Sequence, residues 1–472
     1  MPKRASGQAP RSGKHDARNR KSLASPARLA ALEACMIVRE RNAYAQEVIA
    51  ATIDRSALSA EDRAFATLLV LGVSSTWGAL DELIDRSLRS PKDIKADVRD
   101  ALRISTYEMA FLHKETYAVV DQGVELVRAV APRAAGVGNA ALRSLARLMP
   151  AFPFGDPETD LAVFARLEGF PLWIAELLSD EMGPDAVRAF MRASNEPAPL
   201  FVAENPLRAK EGEVLAELER AKAHCVAVGT EEDRVSGCWH VTPARVLSDG
   251  RIRRLIGDGK MLVSDASSQR VANLVLPETE PSSTLEIGAG RGTKTILLEG
   301  AAVRRWGHPL ASHAAVDNHP FKIELLQRRA AENGIDDIEG IVADATDLQA
   351  TLGERMFDFV FIDAPCSGLG TLRRHPEIRW RLTLDHVKEL ARTQLALLRS
   401  AAQCVSPDGT LAYATCTVTR QENIQVVKAF LESPEGRAFR LAPIGGKSCF
   451  APLLEPGSPD AHFAVTFRRV SE

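Results

Sequence analysis

Phe357-Asp358-Phe359-Val360-Phe361-Ile362-Asp363-Ala364-Pro365-Cys366-Ser367-Gly368 is an apolar run that stops abruptly at Asp-Ala-Pro-Cys. A run this short and this apolar reads as a strand covered on both faces, the kind that fills a parallel sheet. A second such run, Leu411-Ala412-Tyr413-Ala414-Thr415-Cys416, also ends in cysteine. Two thiols at the carboxyl ends of two strands of one sheet face the same crevice, where open α/β sheets bind ligands.

Working outward, the chain from Ser283 alternates apolar runs with helical stretches. The runs are Thr284–Gly288, Ala314–Asp317, Ile338–Asp344, Phe357–Asp363 and Thr410–Cys416, with helices beginning near Thr295, Phe321, Leu384 and Glu422. The alternation predicts a mostly parallel, doubly wound, Rossmann-like sheet. A last strand of mixed polarity, His462 to Val470, is expected to pair antiparallel at the far side.

The first run opens into Gly288-Ala289-Gly290-Arg291-Gly292-Thr293-Lys294. Glycines let the backbone turn tightly and approach a ligand, and the following helix offers free N–H groups. The spacing to Lys294 is wrong for a Walker loop, which leaves dinucleotide binding as the competitor. Acids at later strand ends decide against it. Asp317 is placed for ribose hydroxyls, Asp344 for an adenine amino group, and Asp363 ends the fourth run. A glycine loop followed by this series suits S-adenosylmethionine better than NAD. Taken singly, each Asp could equally cap the helix after it.

Few reactions use two thiols and a carboxylate at one strand-end site. Methyl transfer to carbon 5 of a pyrimidine is one. That carbon is a poor nucleophile until a thiolate adds to carbon 6, which divides a hard step into easier ones. Asp363 can hold the ring N3 and amino edge.

The remaining sequence sets the context. At 472 residues the chain is too long for one core, and its 45% hydrophobic and 26% charged content is that of a globular protein. No apolar run approaches ~18 residues, so no membrane span is expected. Seven scattered cysteines fit reduced thiols and a cytoplasmic location. The net charge of -3 hides a basic amino terminus, where seven Lys and Arg stand against Asp16 within residues 1–22. That composition reads as a disordered arm, either a solubilising tail or a phosphate-seeking one. Residues 25–150 carry helical periodicity throughout. Ala151-Phe152-Pro153-Phe154-Gly155-Asp156-Pro157 is a linker by composition, and residues 151–270 read as linker and small α/β connector. Cys225 and Cys238 lie near His224 and His240, but without the tight pairing a zinc site wants, so no metal is expected.

Ile362-Asp363-Ala364-Pro365-Cys366-Ser367-Gly368 with Arg373-Arg374-His375-Pro376-Glu377-Ile378-Arg379-Trp380 resembles motif IV of the RNA cytosine-5 methyltransferases. Tyr413-Ala414-Thr415-Cys416-Thr417-Val418 with Glu422-Asn423 resembles their motif VI. Ser264-Asp265-Ala266-Ser267-Ser268-Gln269 is similar to the segment before their cofactor loop. Asp62-Arg63-Ala64-Phe65, Arg99 to Glu108 and Gly138 to Arg143 resemble a NusB-type RNA-binding domain. Together these resemble the RsmB/Sun type, which implies methylation of a cytosine, with 16S ribosomal RNA as the expected substrate and a monomer as the expected state. The resemblance implies that Cys416 is the nucleophile, that Cys366 assists product release, and that Arg373, Arg374, His375 and Arg379 contact RNA. Same-chemistry action on transfer RNA, or a non-catalytic antitermination factor, are the alternatives. Two stretches depart from the family pattern. Gly288 to Lys294 stands where Cys-Ala-Ala-Pro-Gly-Gly-Lys is usual, and Asp460-Ala461-His462-Phe463 replaces Asp-Gly-Phe-Phe. The implied domains are a basic arm (1–24), a NusB-like helical domain (25–150), the connector (151–270) and a methyltransferase domain (271–472).

Overall fold

The computed structural model describes residues 23–229 and 234–470. The basic arm therefore falls outside the described residues, apart from its last two positions. The chain forms two compact units. One comprises the chain up to Ala175 together with His375–Trp380, and the other Glu176–Arg374 and Arg381 onward.

The first unit is helical: α1 (Pro26–Glu40), α2 (Ala45–Ala51), α3 (Ala60–Ser87), α4 (Ala96–Ala110), α5 (Thr116–Val130) and α6 (Ala135–Leu148). Ser59 caps α3 by accepting a hydrogen bond from the Asp62 N–H, which satisfies an otherwise orphaned donor. Leu69, Val73, Leu80 and Leu83 of α3 pack with Leu32, Leu102, Leu126 and Leu142 in one core. By length and composition α3 could cross a membrane, but half of its apolar stretch is buried inside this unit. Three buried or half-buried acid–base pairs sit among the helices. Arg28 meets the buried Glu108 at 2.5 Å, and Asp100 is bound by Arg39 at 2.7 Å and Arg103 at 2.6 Å. They explain why Asp100 and Glu108 can stand inside an apolar bundle.

The second unit holds two sheets. The smaller comprises β1 (Phe201–Glu204), β2 (His224–Ala227), β3 (Cys238–Thr242) and β4 (Met261–Val263), in the order β2-β3-β1-β4 and antiparallel throughout. The larger comprises β5 (Thr284–Ile287), β6 (His313–Asp317), β7 (Glu339–Val342), β8 (Phe357–Asp363), β9 (Val405–Thr415), β10 (Phe439–Ala442) and β11 (Phe463–Arg469). Its order is β10-β11-β9-β8-β5-β6-β7. The five strands from β9 to β7 run parallel, while β11 and β10 pair antiparallel beside β9. The doubly wound sheet and its antiparallel last strand are as the sequence predicts. The additional edge strand β10 is short and carries the exposed Arg440 and Leu441, so it lacks the apolar run that marks the interior strands.

The order reverses at β5. From there the chain winds through β6 and β7 on one side, then crosses to β8 and β9 on the other. The gap between the carboxyl ends of β5 and β8 is thus the topological switch point, where such sheets open a crevice. Gly288 and Asp363 stand on its two lips.

Candidate active site

A cavity of about 500 Å³ opens at that switch point. Gly288 and Gly290 line it from the loop after β5, Lys294 from the first turn of the helix that follows, Asp317 from the end of β6, Asp344 from beyond β7, and Asp363, Cys366 and Cys416 from the ends of β8 and β9. The structure therefore brings together the loop, the three acids and both thiols. Within the loop, Ala289, Arg291, Gly292 and Thr293 do not line the cavity. They form the turn into the helix Thr293–Trp306, and the Arg291 carbonyl accepts from Arg329.

Gly288 shows why this turn needs glycine. Its φ is +79°, and a Cβ there would collide with the Asp363 carbonyl oxygen. The cradle is thus open only as long as no side chain fills it. Asp317 is buried and is paired with Lys322 at 3.3 Å. Asp344 accepts from the Thr346 N–H and hydroxyl, which hold its pKa below the ordinary carboxylate value. It is both a cap and a wall of the cavity. A nucleoside with a charged tail fits this donor set, with carboxylates for ribose and base amino group and bare backbone for the tail.

The thiols line the cavity from the far lip. Cys366 Sγ and Cys416 Sγ are 3.0 Å apart, and the Cys416 N–H donates to Cys366 Sγ at 3.2 Å. All seven cysteines are free. The hydrogen bond with Cys416, followed by burial, holds the Cys366 thiol well above its ordinary pKa, so Cys366 stays protonated. Lys294 Nζ donates to Asp363 Oδ1 at 2.7 Å. Burial works against the charge of Lys294. The Asp363 carboxylate and the two neighbouring sulfurs outweigh it, and the lysine pKa rises.

Glu422, a residue of the motif VI stretch, joins the two cysteine loops to one another. Its fully buried carboxylate accepts from the Ser367 N–H at 2.7 Å and hydroxyl at 2.5 Å, on the Cys366 loop. It also accepts from Thr419 at 2.8 Å and Thr417 at 3.3 Å, on the Cys416 loop, and from Gln394 at 3.2 Å. In sequence, Glu422 stands in the stretch that resembles motif VI, and Thr419-x-x-Glu422 before an apolar helix reads as a capping box; neither says which donors it gathers. Gly370 wedges between the Cys416 and Ala461 backbones, donating to the first carbonyl at 3.0 Å and accepting from the second N–H at 3.1 Å. A Cβ at Gly370 would strike both carbonyls.

In the basic run after Cys366, the structure corrects the expectation for Arg373 and Arg379. Arg373 is buried and spends its guanidinium on the carbonyls of Ala193, Ser458 and Glu455. Arg379 is fully buried in the helical unit, over the Phe170 ring at 4.0 Å and within 3.3 Å of the Gly169 carbonyl. Arginines that bind carbonyls inside the protein do not face phosphates. Arg374 pairs with Asp460 at 2.8 Å and Asp265 at 3.0 Å, and His375 packs against Tyr44 with ring centroids 4.8 Å apart. A sequence run of cations does not reveal which carbonyl groups await them.

The profile of the 16S rRNA methyltransferase RsmB/F family matches residues 273–447, and that of the NusB family matches residues 25–147. Ribosomal RNA small subunit methyltransferase B of Thermus thermophilus is 30% identical, over 87% of this chain and 88% of its own. The protein of the same name from Klebsiella pneumoniae is 29% identical, over 79% and 82%. The crystal structure of PH0851 shares the fold, with a TM-score of 0.77 and 22% identity over 95% of this chain and 100% of that one. With the two profiles in the order of the two kinds of domain, the chain belongs to the RsmB/F family of 16S rRNA methyltransferases, whose cofactor is S-adenosylmethionine.

Proposed function

We propose that this protein methylates carbon 5 of a cytosine in RNA, with 16S ribosomal RNA as substrate, through a transient bond between Cys416 Sγ and carbon 6 of the ring. One observation carries the reading. Two thiols in contact stand beside a carboxylate–ammonium pair at the mouth of a nucleoside-sized cavity.

Gly288, Gly290, Asp317 and Asp344 would hold S-adenosylmethionine, which supplies an electrophilic methyl group when bound. Asp363 takes the N3 and amino edge of the pyrimidine and fixes its plane. Cys416 adds to carbon 6, and the electron pair it brings makes carbon 5 nucleophilic. Lys294, a buried cation, offsets the negative charge that the addition places on the ring. Once carbon 5 carries its methyl group, its remaining proton is lost to solvent, the pair left behind re-forms the carbon 5–carbon 6 double bond, and Cys416 leaves as the thiolate with the carbon–sulfur pair. Cys366, held protonated in contact with the departing sulfur, is the neighbour suited to assist that release. The target base must leave its stack to reach these groups.

Tritium transfer from S-adenosylmethionine to deproteinised small-subunit RNA tests the proposal. Cys416→Ala is expected to abolish transfer. Cys366→Ala is expected to leave a protein–RNA adduct that survives denaturing electrophoresis. An adduct with Cys416→Ala in place of Cys366→Ala reverses the two roles. Bisulfite mapping of ribosomal and transfer RNA from cells with and without the gene identifies the nucleotide. A missing site in transfer RNA alone overturns the ribosomal assignment.

A further inference from the structure

His462 stands beside the site without lining its cavity, and the reaction as derived gives it no task. It is 6% exposed, and its Nδ1 has no hydrogen-bond partner among the described residues. Strand register places it. Phe463 pairs antiparallel with Thr415, so His462 and Cys416 each stand one residue beyond the last paired position. Side chains alternate along strands. His462 therefore shares a face with Ala464, Cys416 with Ala414, and Asp363 with Phe361. Those three partners pack in one cluster with Ile296 and Leu297 of the helix that Lys294 opens.

The charges that face the imidazole are Lys294, Asp265 and Asp363, with the Asp460 carbonyl on its own segment. Arg374 is taken by Asp265 and Asp460. Burial and then Lys294 push the imidazole pKa down to about 4, so the ring is neutral and keeps a lone pair.

Lys294 has a problem that a lone pair can solve. Its side chain is 11% exposed and its ammonium donates to Asp363. A pyrimidine that engages Asp363 competes for the same carboxylate. An ammonium this buried requires another acceptor. The other groups facing it are the two thiols. Cys416 must remain free to attack, and Cys366 Sγ already receives the Cys416 N–H. His462 offers an acceptor with no donor.

We infer that His462 is a positioning residue for the methyl transfer, its Nδ1 accepting a hydrogen bond from Lys294 Nζ while the target pyrimidine occupies Asp363. The inference rests on the reaction proposed above. His462→Phe removes the acceptor and keeps the bulk. His462→Asn puts an oxygen near the place of Nδ1, whereas His462→Gln reaches toward the place of Nε2. With the full-length protein and small-subunit RNA, His462→Phe is expected to lower kcat by about ten- to hundredfold, the value of one hydrogen bond to a charged group, and to leave KM for RNA within about twofold. His462→Asn is expected to recover most of that loss and His462→Gln little of it. A purely structural histidine predicts instead that Phe and Asn fall together. That outcome, or an unchanged kcat in His462→Phe, overturns the inference alone. A wild-type protein without transfer activity overturns the proposed reaction and this inference with it. If His462→Phe fails to fold, the contrast between Asn and Gln decides in the same way.

Discussion

At the scale of single residues, the two cysteine loops are joined by a carboxylate that does not line the cavity. Glu422 gathers donors from both cysteine loops, which ties together the two segments whose sulfurs lie 3.0 Å apart. Removing it in Glu422→Ala orphans the Ser367 N–H together with buried hydroxyls, at a cost of about 2–4 kcal/mol. Urea denaturation should show that loss. Methyl transfer, measured where the variant is still folded, should fall further than the remaining folded fraction explains. Full activity in Glu422→Ala would show that the cysteine loops hold their places without it. The positions of Cys416 and Asp363 at strand ends were legible from sequence because each closes an apolar run. What Glu422 joins was not, because its partners come from three separate segments.

At the scale of elements, β5, β6 and the helix Thr293–Trp306 are held together by a buried polar cluster. His313 Nδ1 lies 2.7 Å from Glu299, its Nε2 lies 3.3 Å from Glu286, and Thr295 donates to Glu286 at 2.7 Å. Burial disfavours the charged imidazole, but the two glutamates overcome it and raise the His313 pKa from 6.5 to about 9. A folded-state pKa above the unfolded value gives stability that is complete below pH 6.5. That stability is lost as pH rises through 9. The loss should be on the order of 3 kcal/mol, at about 1.4 kcal/mol per unit. Chemical denaturation at pH 6 and pH 9.5 measures it, and His313→Gln should flatten the difference. An equally steep decline in His313→Gln would assign the pH dependence to other groups. The strands here were legible because apolar runs of four to seven residues mark doubly covered strands. β10, four residues long and half exposed at the sheet edge, was not.

At the scale of the whole molecule, net charge conceals where RNA would be met. Arg373, Arg374, His375 and Arg379 each meet protein groups, whereas the basic arm is a separate source of positive charge. Residues 1–22 hold seven Lys and Arg against one Asp. If they bind phosphates, deleting them should weaken affinity for single-stranded ribosomal RNA. The plot of log affinity against log salt should also flatten, by about 0.7 for each phosphate the arm had neutralised. Fluorescence anisotropy across a salt series reads both effects. Identical slopes for the two proteins would make the arm a solubilising tail.

The sequence by itself determined the parallel sheet, the glycine turn, and the residue types at the strand ends, because these follow from local periodicity and from chemistry that few side chains can perform. Only the tertiary structure decided that Arg373 and Arg379 turn inward, that Glu422 joins the two cysteine loops, and that His462 stands across from Cys416. Each of these depends on which distant carbonyl, hydroxyl or strand arrives beside the residue. That pairing is set by register and packing across more than 100 positions for Arg373 with Ala193, and across about 50 for Ser367 with Glu422. Local sequence carries no record of it.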